Sequence, residues 1–333
     1  MEPVSYILPL RVREKPSEEF VQYLNELAGF VEVVVVDGSD SVFFTALNDA
    51  CVPAVRHIRP APDLVQHKNG KVRGVLTGLR VITHESVIIA DDDVRHSPST
   101  ISAMVAVLKT DDVIRPQNYF HPSPWHAHID TARILINRVT GGDWPGTLGV
   151  RRSVMTRTNG YSGDVLFENL ELVRTVLAAG GTAASRPDLF VRRLPPTTKH
   201  FWGQRIRQAY DEFARPYRLV AALMVVPFVT FAAWRWSLGP VLLGFACCAI
   251  SVAELGRRRE GGMSVFPLLA SLCAPLWVIE RGVCAWLAVA ARVRNGGIRY
   301  NGHVLAVAAH SIRALELRRR KGDRELNIGP EGR

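Results

Sequence analysis

Three adjacent aspartates, Asp91, Asp92 and Asp93, follow the apolar run Val-Ile-Ile-Ala at 87–90. That run is short, β-branched and bounded by polar residues, which predicts a buried strand. The carboxylates then emerge where a central strand ends, the place at which open α/β sheets bind ligands. Side chains at i and i+2 leave a strand on the same side, so Asp91 and Asp93 can face one hard cation while Asp92 points away. A Mg²⁺ or Mn²⁺ ion held by one or two carboxylates completes its shell with substrate phosphates. An acidic turn capping a helix before Pro98 is the plainer alternative.

Other residues extend this chemistry. Asp37 ends a second apolar run at 31–36, and its carboxylate can accept from a nucleobase N–H or simply shape an Asp-Gly turn. Lys68-Asn69-Gly70-Lys71 precedes a predicted helix, where an ammonium suits a diphosphate. Glu168 opens another helix, followed by Asn169. Gln204 and Arg207 follow Phe201-Trp202, and Arg207 can clamp a diphosphate with two parallel hydrogen bonds. The segment His126-Ala-His128-Ile-Asp130 has a spacing that zinc tolerates, but no further histidine cluster supports it, and no metal is expected there.

These residues need a scaffold. Strands are predicted at 4–10, 31–36 and 87–90, with helices at 17–28, 42–50 and 71–82. Ser17 caps the first helix and Gly29 stops it. This βαβα order argues for a parallel sheet with crossover helices over residues 1–215.

The chain changes character near residue 216. From 219 to 253 the only charge is Arg235, and the run far exceeds one bilayer crossing of roughly 20 residues. Trp234, Trp236 and Gly239-Pro240 mark a turn at its middle, so residues 219–255 read as a helical hairpin. Arginines at 205, 207, 215 and 218 precede it and Arg257-Arg258-Arg259 follow it, which places both ends in the cytosol by the positive-inside rule. A further apolar segment, 263–291, is interrupted by Glu280-Arg281. A charge pair is costly in lipid, so two half-segments on the cytosolic face fit better than a third span. Residues 216–292 thus form a membrane region and 293–333 a basic cytosolic tail, irregular from Arg313 onward.

Lys and Arg total 41 against 31 Asp and Glu among 333 residues. The basic clusters flank apolar spans rather than interleaving with aromatics on a folded face, so no nucleic-acid partner is expected. The 5 cysteines form no CxxC pair and mostly lie in apolar stretches, which suggests buried, reduced thiols. No basic segment followed by a long apolar run opens the chain, so no signal peptide is expected.

Taken in order, Asp37, Lys68–Lys71, Asp91-Asp92-Asp93, the Glu168-Asn169 helix start and Gln204-x-x-Arg207 resemble the motifs of membrane-attached glycosyltransferases of family 2, including ceramide glucosyltransferase-like and polysaccharide synthase-like members. The resemblance covers about 1–220, with a weaker echo at 296–305. It implies an α/β GT-A domain, a Rossmann-like sheet for nucleotide-diphospho-sugars, followed by transmembrane or interfacial helices. It further implies an inverting hexosyltransferase at the cytosolic face of the cell membrane, acting on a lipid or lipid-linked acceptor. Asp93 and Asp91 would hold the Mg²⁺ or Mn²⁺, while Asp37, Lys68, Lys71, Asp91 and Asp92 would bind the donor. Trp144 and Trp202 would face the acceptor, with Gln204 and Arg207 at the reaction centre. Where the family often has Thr-Glu-Asp with the aspartate as base, this chain has Asn169. Either Glu168 or Asp164 is then the base, or the acceptor is a polyprenyl phosphate and needs none. The family tryptophan after Arg207 is Gln208 here, which weakens the case for a processive enzyme. A membrane-tethered nucleotide-sugar-binding protein without turnover is the alternative from another class.

Overall fold

The computed structural model describes residues 2–300 and 302–327. Apolar, β-branched runs form the strands β1 (Val4–Leu10), β2 (Glu32–Asp37) and β4 (Ser86–Ala90), and β3 (Val55–Ile58), of mixed polarity, adds at the edge. Four more strands follow: β5 (Val94–Arg95), β6 (Val113–Phe120), β7 (Thr147–Arg151) and β8 (Ala183–Arg193). Together they make one sheet in the order β3-β2-β1-β4-β7-β6-β8-β5. Strands β3, β2, β1 and β4 run parallel, as their crossover helices require. The rest corrects the all-parallel expectation. β7 inserts antiparallel to both β4 and β6, and β8 pairs parallel to β6 but antiparallel to β5. Two apolar clusters cover the two faces, one around Tyr6, Leu24 and Ile88, the other around Ile7, Val75 and Ile89.

The helix Glu18–Leu27 is capped by Ser17, whose hydroxyl accepts from Phe20 N. Helix Gly70–Leu79 is capped by Asn69, which accepts from Lys71 N. Asn69 also donates to the Val165 carbonyl, 3.2 Å away, so the turn that presents Lys71 is tied to the segment leading into Glu168.

The C-terminal region is helical. Pro216–Arg235 and Leu238–Arg258 form a hairpin of 20 and 21 residues with mean hydropathies of 1.7 and 1.9. Each is about 30 Å long at 1.5 Å per residue, enough to cross a bilayer. A third long apolar helix, Ala274–Asn295, follows the short helix Leu268–Leu272, and 39% of its apolar window is buried against 11% for each hairpin arm. Its charge pair faces inward: Arg281 is buried, and Glu280 lies 4.0 Å from Arg205. Residues beyond this helix fold back onto the sheet domain. A hairpin of β9 (Ile298–Tyr300) and β10 (His303–Leu305) leads to Val307, which bridges to Val165. His310 then bonds the buried Glu171 through its backbone N–H and Nδ1, both at 2.7 Å. A helix covers Ile312–Asn327, where the sequence suggests irregular chain; residues 328–333 lie outside the described ones. The cysteines also depart from expectation, since Cys284 is buried but Cys247 and Cys248 sit on the outer surface of the hairpin.

Candidate active site

A cleft of about 350 Å³ opens at the C-terminal end of β4. Asp91, Asp92 and Asp93 line one side, with Lys71, Arg193, Glu168 and Asn169 around them. Gln204, Arg207, Gln208, Asp211 and Arg215 line another, and Tyr300 and Arg281 come from the C-terminal region.

The carboxylates are held in place by the backbone beneath them. Asp91 N donates to Gly146 O at 2.8 Å, and Leu194 N donates to Asp93 O at 2.7 Å. Asp91 and Asp93 do share a side, because one guanidinium reaches both: Arg193 Nε lies 2.9 Å from Asp93 Oδ2 and Nη2 lies 3.4 Å from Asp91 Oδ2. Asp93 Oδ1 is buried with no hydrogen-bond partner. Burial raises the Asp93 carboxyl against the pull of Arg193. Asp92 lies at the cleft rim, where partial desolvation and the neighbouring Asp93 and Asp91 carboxylates push its pKa up to about 6. Lys71 reaches across the floor, 2.5 Å from Asp91 Oδ1 and 2.9 Å from Glu168 Oε1. Burial alone would push its ammonium down; the two carboxylates outweigh that and hold it charged.

Gly146 is required by this packing. A Cβ there would sit 2.7 Å from Asp91 Oδ2 and 3.1 Å from Arg193 Cζ. Asn169, one residue into its helix, donates to Pro145 O at 2.9 Å and braces the same loop. Trp144 lies against Phe167 and under the Arg115 guanidinium at 4.2 Å, with one face on the cleft.

Several expected residues lie elsewhere. Asp37 is fully buried outside the cleft lining, accepting from Ser39 N at 2.7 Å and paired with His57 at 3.1 Å. Burial opposes its ionisation, but His57 and Ser39 outweigh this and lower its pKa. Lys68 is exposed and does not line the cleft that Lys71 enters. Asp164 is likewise exposed and outside the cleft. Trp202 is on the outer surface beside Trp125, 6.4 Å between ring centroids. In the His126–Asp130 segment, His126 bonds Pro196 O and Asp130 pairs with Arg205, and no group of three metal-ligating side chains occurs among the described residues.

Arg193 and Arg281 are site residues that motif spacing missed. Arg193 ends a long strand just before Pro195-Pro196, a charge at a strand end that could have marked it. The signal for Arg281 was the Glu280-Arg281 pair itself, since charge in an apolar helix turns inward toward protein or water.

Residues 5–147 match the model of glycosyl transferase family 2. That span contains Asp37, Lys71, the three aspartates and Gly146, and ends before Glu168, Arg193 and Arg207. Among solved structures, the mannosyltransferase PcManGT from Pyrobaculum calidifontis, in complex with GDP-Man and Mn²⁺, is 18% identical, with 84% of this chain and 86% of that one covered and a TM-score of 0.49. Glucosyl-3-phosphoglycerate synthase from Mycobacterium tuberculosis, in complex with Mn²⁺, UDP and glucosyl-3-phosphoglycerate, is 14% identical, with 60% and 74% covered and a TM-score of 0.41. No curated protein matches the sequence. Residues 5–147 thus match a glycosyl transferase family 2 domain, on a mixed sheet of GT-A type followed by long apolar helices.

Proposed function

We propose that the protein is an inverting glycosyltransferase that moves a sugar from a nucleotide-diphospho-sugar to a lipid or lipid-linked acceptor at the cytosolic face of a cell membrane. The observation that carries this reading is the composition of one cleft. Paired carboxylates and cations at a strand end adjoin Arg215, at the start of the first apolar helix, and Arg281, on the third.

Asp91 and Asp93 fit a divalent cation: they are neighbours on one side, and the buried Asp93 Oδ1 lacks a partner. Bound there, Mg²⁺ or Mn²⁺ would neutralise the diphosphate as a Lewis acid. Lys71 and Arg193 pair with the carboxylates and supply further positive charge to a leaving diphosphate. Arg207, near the Tyr300 ring at 5.4 Å, faces the same space with Gln204. The acceptor oxygen attacks the anomeric carbon from the face opposite the diphosphate, which gives inversion.

The membrane arrangement follows from how the helices dock. Both ends of the hairpin attach to the catalytic domain, the first at Arg215 and the second where Arg138 donates to Gly256 O at 2.9 Å. This supports two spans with both ends on the catalytic side. Helix Ala274–Asn295 exposes Leu276, Ile279, Val283, Trp286 and Leu287 and buries Arg281, Cys284 and Ala288. That two-faced pattern suits a helix lying in the interface.

Donor binding tests the reading through thermal unfolding of the purified full chain with UDP- and GDP-sugars, with and without Mn²⁺. A ligand that binds only the native state raises Tm. At least one donor should do so in a Mn²⁺-dependent way, and Asp93→Asn should abolish the Mn²⁺ dependence while leaving the unliganded Tm within a few degrees. If no sugar nucleotide shifts the wild-type Tm, the reading fails.

A further inference from the structure

The carboxylates expected to act as base are poorly placed for it. Glu168 is engaged by Lys71, and Asp164 lies outside the cleft. A different acid faces the same space. Gln204, Arg207, Gln208, Asp211, Glu212 and Arg215 all line the cleft, at i, i+3, i+4, i+7, i+8 and i+11. This is one helical stripe, running through helix Arg205–Tyr210 and the 3-10 turn Asp211–Ala214 that continues it. Tyr210 anchors the turn from behind, buried and donating to Ala306 O at 2.8 Å.

Within the stripe the two acids differ. Glu212 is paired with Arg215 at 3.1 Å and Arg218 at 3.3 Å. The Asp211 carboxyl makes no hydrogen bond or ion pair among the described residues. It is half-buried in the cleft wall, so a group bound in the cleft can reach it.

We propose that Asp211 is the group that takes the proton from an attacking acceptor hydroxyl, an assignment that rests on the glycosyl-transfer reading above. In that step the acceptor O–H bond breaks and its proton passes to the Asp211 carboxylate. The oxygen forms its bond to the anomeric carbon as the bond to the diphosphate oxygen breaks, and that electron pair leaves with the nucleotide diphosphate.

The electrostatics agree with this geometry. Burial raises Asp211 to about 7; Arg207 and Arg215 pull it down, while Glu168 and Glu212 push it up. A base with a pKa near the working pH combines a large deprotonated fraction with a useful proton affinity. Turnover should therefore rise with pH through neutrality and fall on the acid side as Asp211 protonates.

The test uses the full chain in lipid nanodiscs of total polar lipid, Mn²⁺ and a panel of UDP- and GDP-sugars, with nucleotide release followed from mildly acid to mildly alkaline pH. Asp211→Asn should lower kcat by about 10²–10⁴, the range of general-base catalysis, leave the donor KM little changed, and abolish the acid-side fall. Asp211→Glu should retain more activity than Asp211→Asn and displace the acid-side fall. Should Asp211→Asn fail to fold, that displacement carries the test. A structural role would instead alter Tm and KM together. Wild-type kcat with an unchanged acid-side fall in Asp211→Asn overturns the assignment, as an acceptor that arrives already anionic would produce. Loss of the acid-side fall in Glu168→Gln but not in Asp211→Asn overturns it in favour of Glu168. If the wild type turns over no donor, the glycosyl-transfer reading falls and this assignment falls with it.

Discussion

Asn169 donates to Pro145 O and accepts from Lys71 at 3.4 Å, so its amide uses both of its chemical functions. An aspartate there would lose the donor and set a charge against the Pro145 carbonyl. The asparagine holds the loop that brings Gly146 against Asp91, and the hypothetical Cβ at 2.7 Å shows how little space remains. Gly146→Ala should therefore push Asp91 away from Arg193. Overpacking of this kind costs about 1–3 kcal/mol. In thermal unfolding, the variant should lose part of its basal Tm and most of its Mn²⁺-dependent stabilisation by donor; an unchanged Mn²⁺ response would show that this contact does not govern the site. At this scale the sequence was informative where chemistry is local. The three aspartates and Lys71 declare themselves by type and by position next to a strand or a helix start. Asp37 stands out in the same way, but its pairing with His57 does not, nor does Arg193 on Asp93, because these partners are 20 and 100 residues apart and only the folded sheet brings them together.

The elements that carry these residues are joined by close helix contacts. Helix Leu238–Arg258 lies so near helix Trp125–Val139 that a Cβ on Gly256 would overlap the Leu135 carbonyl. Arg138 locks the same junction, donating to Gly256 O, Pro187 O and Arg259 O. Gly256→Leu should separate the hairpin from the catalytic domain. Limited trypsin digestion should then cut faster at Arg257-Arg258-Arg259, by several-fold or more; an unaltered rate would show that the hairpin does not depend on this contact. The first half of the sheet was legible because its apolar runs are long and its crossover order is regular. The second half was not. β3 is four residues of mixed polarity, and β7 pairs antiparallel between strands distant in sequence, which no local period reveals. The fold-back of residues 298–310 is similarly a matter of tertiary contacts, such as His310 on Glu171.

At the scale of the whole molecule, a hydrophilic cleft sits against two unusually apolar helices and a third with one polar face. Such an arrangement raises the local concentration of a lipid acceptor beside a donor taken from water. Hydropathy made the hairpin visible, whereas the expected two half-segments of 263–291 are corrected by one continuous helix, Ala274–Asn295, whose Glu280 and Arg281 turn inward against the protein. The central claim is that the sugar passes from a water-soluble nucleotide to a membrane lipid on the face that carries the catalytic domain. Sealed vesicles from cells making the full chain test it directly. Nucleotide sugars do not cross a sealed bilayer, so radiolabelled donor added to inside-out vesicles with Mn²⁺ should label the organic-extractable lipid. Right-side-out vesicles should not show this, and neither should inside-out vesicles bearing Asp93→Asn. Equal labelling of the two orientations, or no lipid labelling from any donor by intact wild-type protein, would contradict the account.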